Sequence, residues 1–203
     1  MSLIKAVIFD VGGVLIRTAD HSRRRDWEKR LNLAEWESEE IVFNSEMGQK
    51  AQRGEIETAE LWQWIGRYLN LDTVALQDFQ AGFWAGDVLD KELVAFIRQL
   101  RPHYQTAIIS NATNTLRQML STKYPIADAF DLIVVSGEEK VMKPDAVIYE
   151  RTLARLGRQP EEAVFVDDFA HNIAAAKQLG LATIHFRPHT NVPAELARLG
   201  VTI

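Results

Sequence analysis

The stretch AVIFDVGG, residues 6–13, decides the fold. Ala6, Val7, Ile8 and Phe9 form a short β-branched and aromatic run with no polar alternation, the pattern of a strand covered on both faces. Asp10 closes the run, and Gly12 and Gly13 break it. Four similar runs follow: TAII at 106–109, LIVV at 132–135, AVFV at 163–166 and ATIHF at 182–186. Helical patterns lie between them. Leu93, Phe96, Ile97 and Leu100 recur at i, i+3, i+4, i+7. Ile148, Leu153 and Leu156 mark a helix beyond Pro144, and Ile173, Ala174 and Leu179 mark another, ended by Gly180. Strands alternating with helices predict an α/β fold, a Rossmann-like parallel sheet with helices on both faces.

Residues 17–88 read differently. They hold no strand-like apolar run. Leu61, Trp64, Ile65, Tyr68 and Leu69 make a helical stripe, and all five tryptophans (Trp27, Trp36, Trp62, Trp64 and Trp84) fall within this stretch. So many large apolar residues argue against a linker. The expected organisation is an α/β core from 1–16 and 89–203, with 17–88 an all-helical insertion after the first strand. The tryptophans are expected to form its core.

Composition limits the chemistry. The chain has 203 residues, 47% hydrophobic and 25% charged, ordinary values for a globular protein and enough for one α/β core. A net charge of −5 provides no broad positive field for nucleic acid, so an anionic substrate has to be attracted locally. With no cysteine, disulfides, thiolate catalysis and cysteine–zinc sites are excluded. The five histidines are dispersed without metal-ligand spacing. The first residues lack a long apolar signal segment, and no apolar window is long enough to span a bilayer. The expectation is a cytoplasmic protein, a monomer or weak homodimer, with no nucleic-acid or membrane partner.

In open parallel sheets ligands bind beyond the carboxyl ends of the strands. Those ends carry Asp10, Ser110-Asn111 and Asp167-Asp168, and a fourth group, Lys143-Pro144-Asp145, follows the LIVV run at 132–135 after a short loop. Carboxylates without cysteine or clustered histidine favour a hard, oxygen-seeking cation such as Mg²⁺. A lysine and a hydroxyl beside it suit a phosphate. Each group also has a plainer reading: Asp10, Ser110 and Asp168 as helix caps, Lys143 as a solvated side chain before proline, Arg23-Arg24-Arg25 as a solvated helix face.

Four segments together carry a family resemblance: VIFDVGGVL at 7–15, IISNA at 108–112, KPD at 143–145 and VFVDDFAHNI at 164–173. In this order, at or just after strand ends, they resemble the four motifs of the haloacid dehalogenase superfamily. The nearest likeness is to its small sugar-phosphate phosphatases and the phosphatase domain of epoxide hydrolases. The insertion falls where that family places its cap. The resemblance implies a Mg²⁺-dependent phosphatase acting on a small phosphorylated metabolite through an aspartyl-phosphate on Asp10. It implies that Asp10, Asp168 and the Gly12 carbonyl hold the metal, with Asp167 and Asn172 behind them. Gly12, Gly13, Ser110 and the Asn111 backbone would bind the phosphoryl group, and Lys143 would place a charge on its oxygens and on Asp10.

The chain departs from the family's phosphatase pattern at Gly12, where a second aspartate normally protonates the leaving oxygen. General acid catalysis is worth about 10²–10⁴-fold. Either the substrate has a good leaving group or the insertion lends an acid, with Asp20 and His21 the nearest in sequence. Members that lack this aspartate include metal-free 2-haloacid dehalogenases, and a catalytically weak binding or regulatory protein is a third reading. Paired Asp167-Asp168 favours the metal-dependent one, because two adjacent like charges call for a cation.

Overall fold

The computed structural model describes residues 3–203. Along the chain these form strands β1 (Ala6–Phe9), β2 (Ile16–Thr18), β3 (Asp87–Leu89), β4 (Gln105–Ser110), β5 (Leu132–Val135), β6 (Ala163–Asp167) and β7 (Ala182–His185). The helices are α1 (Ser22–Arg30), α2 (Glu37–Glu39), α3 (Glu46–Gln52), α4 (Thr58–Tyr68), α5 (Thr73–Phe83), α6 (Lys91–Leu100), α7 (Leu116–Thr122), α8 (Ser136–Glu139), α9 (Ala146–Leu156), α10 (Ala170–Gln178) and α11 (Val192–Arg198). A π-helical turn, Glu40–Asn44, joins α2 to α3.

Five strands form one parallel sheet in the order β5-β4-β1-β6-β7. The reversal of strand order beside β1 places Asp10 at the middle of the sheet's carboxyl edge. Both faces are covered, as the unalternated apolar runs predict. Val7, Phe9, Ile108, Val164 and Val166 pack toward α6, α7 and α11. Ala6, Ile8, Ala107, Ile109 and Phe165 pack toward α9 and α10. All four β1 residues are fully buried, and each Val, Ile or Phe so enclosed contributes roughly 1.5–3 kcal/mol.

Between β2 and β3, α1–α5 enclose a separate apolar core of Trp27, Ile41, Val42, Leu61, Trp62, Ile65, Phe79 and Phe83. The stripe expected on α4 is rotated by about one residue. Trp62 is buried, because Phe79 and Phe83 of α5 pack edge-on against it, whereas Tyr68 is 59% exposed and stacks on Trp64. The expectation of an all-helical stretch over 17–88 needs a correction. Its ends form an antiparallel ribbon, β2 with β3, pairing Ile16 with Leu89, Arg17 with Val88 and Thr18 with Asp87. Three-residue strands so rich in polar side chains give no apolar run to detect. The basic run is also not a solvated face throughout: Arg24 is buried, bonded to the Phe83 carbonyl, Glu39 and Asp87, with its guanidinium over the Phe83 ring.

The helical unit rests on the sheet domain through polar contacts. The Ser136 hydroxyl donates to the Gln52 carbonyl at 2.6 Å, Lys140 Nζ donates to the Gly54 carbonyl, and Thr58 Oγ1 donates to Asn114 Oδ1 at 2.6 Å. Gly54 is required at this junction. Its φ is +64°, and a Cβ there would lie 1.9 Å from the Gly137 carbonyl oxygen.

Candidate active site

Adjacent strands β4, β1 and β6 bring Ser110, Asp10 and Asp167-Asp168 to one edge. Asp10 extends the ladder, its N–H donating to the Val166 carbonyl at 2.9 Å. The Val11 N–H donates to Asp10 Oδ1 at 2.7 Å, which fixes the carboxylate's rotation. Lys143 arrives from the loop after α8 and is 1% exposed. Its Nζ lies 2.9 Å from Asp10 Oδ1 and 2.7 Å from Asp167 Oδ2, bridging the two carboxylates.

Asn111 places that lysine. Its side-chain amide donates to the Lys143 carbonyl and accepts from the Lys143 N–H, both at 2.8 Å. The side chain is therefore a clamp between β4 and the lysine loop, which leaves its backbone for any ligand. Ser110 is buried beside it at the end of β4.

The two adjacent aspartates differ in what surrounds them. Asp167 is fully buried and its lone pairs are filled: Lys143 and Asn172 Nδ2 on Oδ2, Asn172 Nδ2 and the Phe169 N–H on Oδ1. Asp168 Oδ1 is buried with no hydrogen-bond partner. Carboxylate oxygens of Asp10, Asp167 and Asp168 all lie within 4.8 Å of one another. Gly13, at φ +73°, makes room for this: a Cβ there would sit 2.1 Å from Asp168 Oδ2.

The charges are unbalanced, three carboxylates against one lysine. Burial pushes Asp10 from 3.8 up to about 7; Lys143 opposes the rise, and Asp167 and Asp168 add to it. Burial, then the charge of Asp167, also raises Asp168. Burial pulls the Lys143 ammonium down, but Asp10 and Asp167 outweigh it and hold the group above its ordinary value. An unpartnered buried carboxylate oxygen in a cluster of excess negative charge fits a hard divalent cation.

Two contacts were not foreseen from sequence. The Tyr149 hydroxyl donates to the Asn172 carbonyl at 3.1 Å, tying α9 to α10. His185 Nε2 lies 2.9 Å from the Asp168 carbonyl oxygen. A tyrosine in a helical stripe and a histidine ending a strand carry no local motif, so only strand register could have paired the latter with Asp168. Of the two candidate acids, Asp20 is engaged elsewhere. Its carboxylate accepts from the Ser22 N–H at 2.8 Å and the Ser22 hydroxyl at 3.0 Å, and these bonds hold its pKa below the ordinary value. His21 packs edge-on against Trp36, its Nδ1 buried without a hydrogen bond.

Comparison with known proteins bears on the family and the fold. A family model described as haloacid dehalogenase-like hydrolase matches residues 4–180. The chain is 26% identical to the sesquiterpene phosphatase astK of Aspergillus oryzae, over 96% of each chain. It is 24% identical to the D-ribitol-5-phosphate phosphatase of Bacteroides thetaiotaomicron, over 92% of each. An enzyme of the HAD family from Bacteroides thetaiotaomicron, solved in complex with magnesium and inorganic phosphate, has the same fold. It superposes with a TM-score of 0.79 at 23% identity, over 95% of this chain and 98% of that one.

Proposed function

The chain belongs to the haloacid dehalogenase-like hydrolases, and on that premise we propose that it is a Mg²⁺-dependent phosphatase of a small phosphomonoester, with Asp10 as nucleophile. Phosphatases among its relatives support the reaction class. The observation that carries the reading is the unpartnered Asp168 Oδ1 clustered with an Asp10 already clamped by Lys143. A metal-free attack on carbon needs no second buried carboxylate there, and leaves it uncompensated.

In this reading Asp10, Asp168 and the Gly12 carbonyl would hold Mg²⁺, which would supply charge neutralisation at the phosphoryl oxygens. Asp10 attacks phosphorus as the ester P–O bond breaks. The leaving group departs as its oxyanion and takes up a proton from water or a cap acid, and water then hydrolyses the aspartyl-phosphate to regenerate Asp10 and release inorganic phosphate. Lys143 keeps Asp10 oriented and offers its charge to the incoming phosphoryl oxygens. Backbone N–H groups of Gly12 and Asn111, with the Ser110 hydroxyl, bind those oxygens, whereas the Gly13 N–H is engaged by the Ile16 carbonyl at 3.0 Å and Gly13 serves by leaving room beside Asp168. Asp167 and Asn172 fix Lys143 from behind. Residues 17–88 act as a cap that closes on the strand ends, excludes water and reads the leaving group.

Gly12 offers no proton and Asp20 is held as a carboxylate by Ser22. The favoured substrates are therefore esters with good leaving groups, such as anomeric sugar, acyl or aryl phosphates. Of the two acids considered, His21 is the one left for a proton donor from the cap, its Nδ1 without a hydrogen bond and 3.6 Å from Glu39 Oε1. Purified protein given p-nitrophenyl phosphate tests the reading. Turnover with Mg²⁺ that disappears with chelator and in Asp10→Asn supports it. Halide release from a 2-haloacid without metal would establish the dehalogenase instead, and silence in both assays from a folded protein would leave a binding role. A steep dependence of rate on leaving-group pKa supports the good-leaving-group reading; a flat one identifies an acid in the cap.

A further inference from the structure

Asp168 depends on its backbone for its aim. Its Oδ1 has no partner, so no hydrogen bond from a side chain steers that oxygen toward Asp10. Its main chain, by contrast, is held on both sides. The Phe169 N–H donates to Asp167 Oδ1 at 2.7 Å, and the Phe186 N–H donates to the Asp167 carbonyl at 2.9 Å. The remaining anchor is His185. It ends β7 directly opposite Asp167 in the parallel register, which carries its ring past the strand end to the Asp168 carbonyl at 2.9 Å.

The partners of the ring fix its tautomer. A carbonyl oxygen only accepts, so Nε2 carries the proton it donates to Asp168. On the other side Arg187 Nη2 lies 3.4 Å from Nδ1, and a guanidinium only donates, so Nδ1 presents its lone pair. Both contacts require the same form of the imidazole. Outer-shell hydrogen bonds of this kind orient metal ligands, and losing one commonly costs about 10–100-fold in metal affinity. The ring also borders a surface hollow of about 740 Å³ shared with Arg187, His189 and Asn191, so a replacement side chain has room to settle.

We infer that His185 is a positioning residue for the cation site: through the Asp168 carbonyl it aims the Asp168 carboxylate at Asp10, and Arg187 selects the tautomer that can do so. The inference rests on the reading that Asp168 ligates a divalent cation.

Titration of the substrate-free protein with MgCl₂ in a calorimeter tests it without reference to turnover. Glutamine places its side-chain N–H where Nε2 stands, whereas asparagine reaches only as far as Nδ1 and phenylalanine fills the space without a donor. His185→Phe and His185→Asn should each weaken Mg²⁺ binding about 10–100-fold, and His185→Gln should restore it to within about threefold. Two outcomes overturn the inference: wild-type affinity in both His185→Phe and His185→Asn, or a His185→Gln variant as weak as His185→Phe. Absence of any Mg²⁺ binding by the wild type would overturn the underlying metal reading as well, which separates the two failures. Thermal melts of the same samples show which variants are folded, and having two variants without a donor at the Nε2 position guards against the loss of either.

Discussion

Lys143 Nζ sits between Asp10 Oδ1 at 2.9 Å and Asp167 Oδ2 at 2.7 Å, and none of the three side chains is more than 8% exposed. One ammonium thus compensates two buried carboxylates. Breaking a buried ion pair from one side costs about 3–5 kcal/mol, because the charge left behind is uncompensated. In chelator, Lys143→Met should lose stability of that order as well as activity. Urea unfolding followed by tryptophan fluorescence measures it, and a midpoint equal to wild type would show that the triad contributes nothing to the fold.

The same burial sets a pH dependence. Asp10 is raised from 3.8 to about 7, chiefly by desolvation. Between those values the folded protein binds a proton at Asp10 that the unfolded chain has released, so this group's contribution to stability falls as pH rises through the window. Asp10→Asn carries no such charge. In chelator its stability relative to wild type should therefore increase between pH 5 and 7, by at most about 1.4 kcal/mol per pH unit, and level off above. Saturating Mg²⁺ should flatten the trend, since an ion that keeps the folded carboxylate ionised removes the proton difference between folded and unfolded chain across this window. Parallel stability–pH curves for the two proteins would contradict the raised value.

Gly12 stands where a leaving-group acid is missing, and the space is available. A Cβ built there meets no heavy atom within 4 Å, and the backbone is not in the left-handed region that would strain a side chain. Gly12→Asp should fold normally. Its rate on a simple alkyl phosphate should rise toward the 10²–10⁴-fold expected of general acid catalysis, while p-nitrophenyl phosphate, whose leaving group needs no proton, should gain little. The ratio of kcat/KM for the two substrates in the variant and the wild type is the measurement. Equal gains on both would mean that the aspartate acts other than as an acid.

The sheet was legible because each core strand is enclosed on both faces, so its apolar run stands out. AVIF at 6–9 and LIVV at 132–135 match β1 and β5 residue for residue. The ribbon of β2 and β3 was invisible because Arg17, Thr18 and Asp87 are polar and the pairing spans some seventy residues. At the site, Asp10 and Asp168 were readable as charges at strand ends, and Lys143 as a charge a short way beyond one. What each neighbour does was not. Nothing local distinguishes Asp167, whose lone pairs are filled, from Asp168, whose Oδ1 is bare. That difference arises from Asn172 one helical turn later and Lys143 on another loop, contacts that exist only once the sheet has formed.

Ser136 joins the helical unit to the carboxyl edge of the sheet through one hydroxyl. Fully buried, it accepts from the Ala112 N–H at 2.9 Å and donates to the Gln52 carbonyl at 2.6 Å, with the Ala112 carbonyl a second acceptor at 3.2 Å. Were residues 52–54 to lift away, as the proposed cap opening requires, the hydroxyl could turn to Ala112 and strand no donor, while water would meet the freed Gln52 carbonyl. Ser136→Ala removes this choice. The Ala112 N–H then loses its partner in both positions, at about 1–3 kcal/mol for an unsatisfied buried group, and the Gln52 carbonyl loses its contact only in the closed one. The variant should therefore melt lower and also shift toward the open form. Hydrogen exchange should be faster in residues 49–56 than the global destabilisation explains, and KM should rise more than kcat falls. Exchange in that segment accelerated no more than in α9 would mean that Ser136 supports the sheet domain alone and does not hold the helical unit closed.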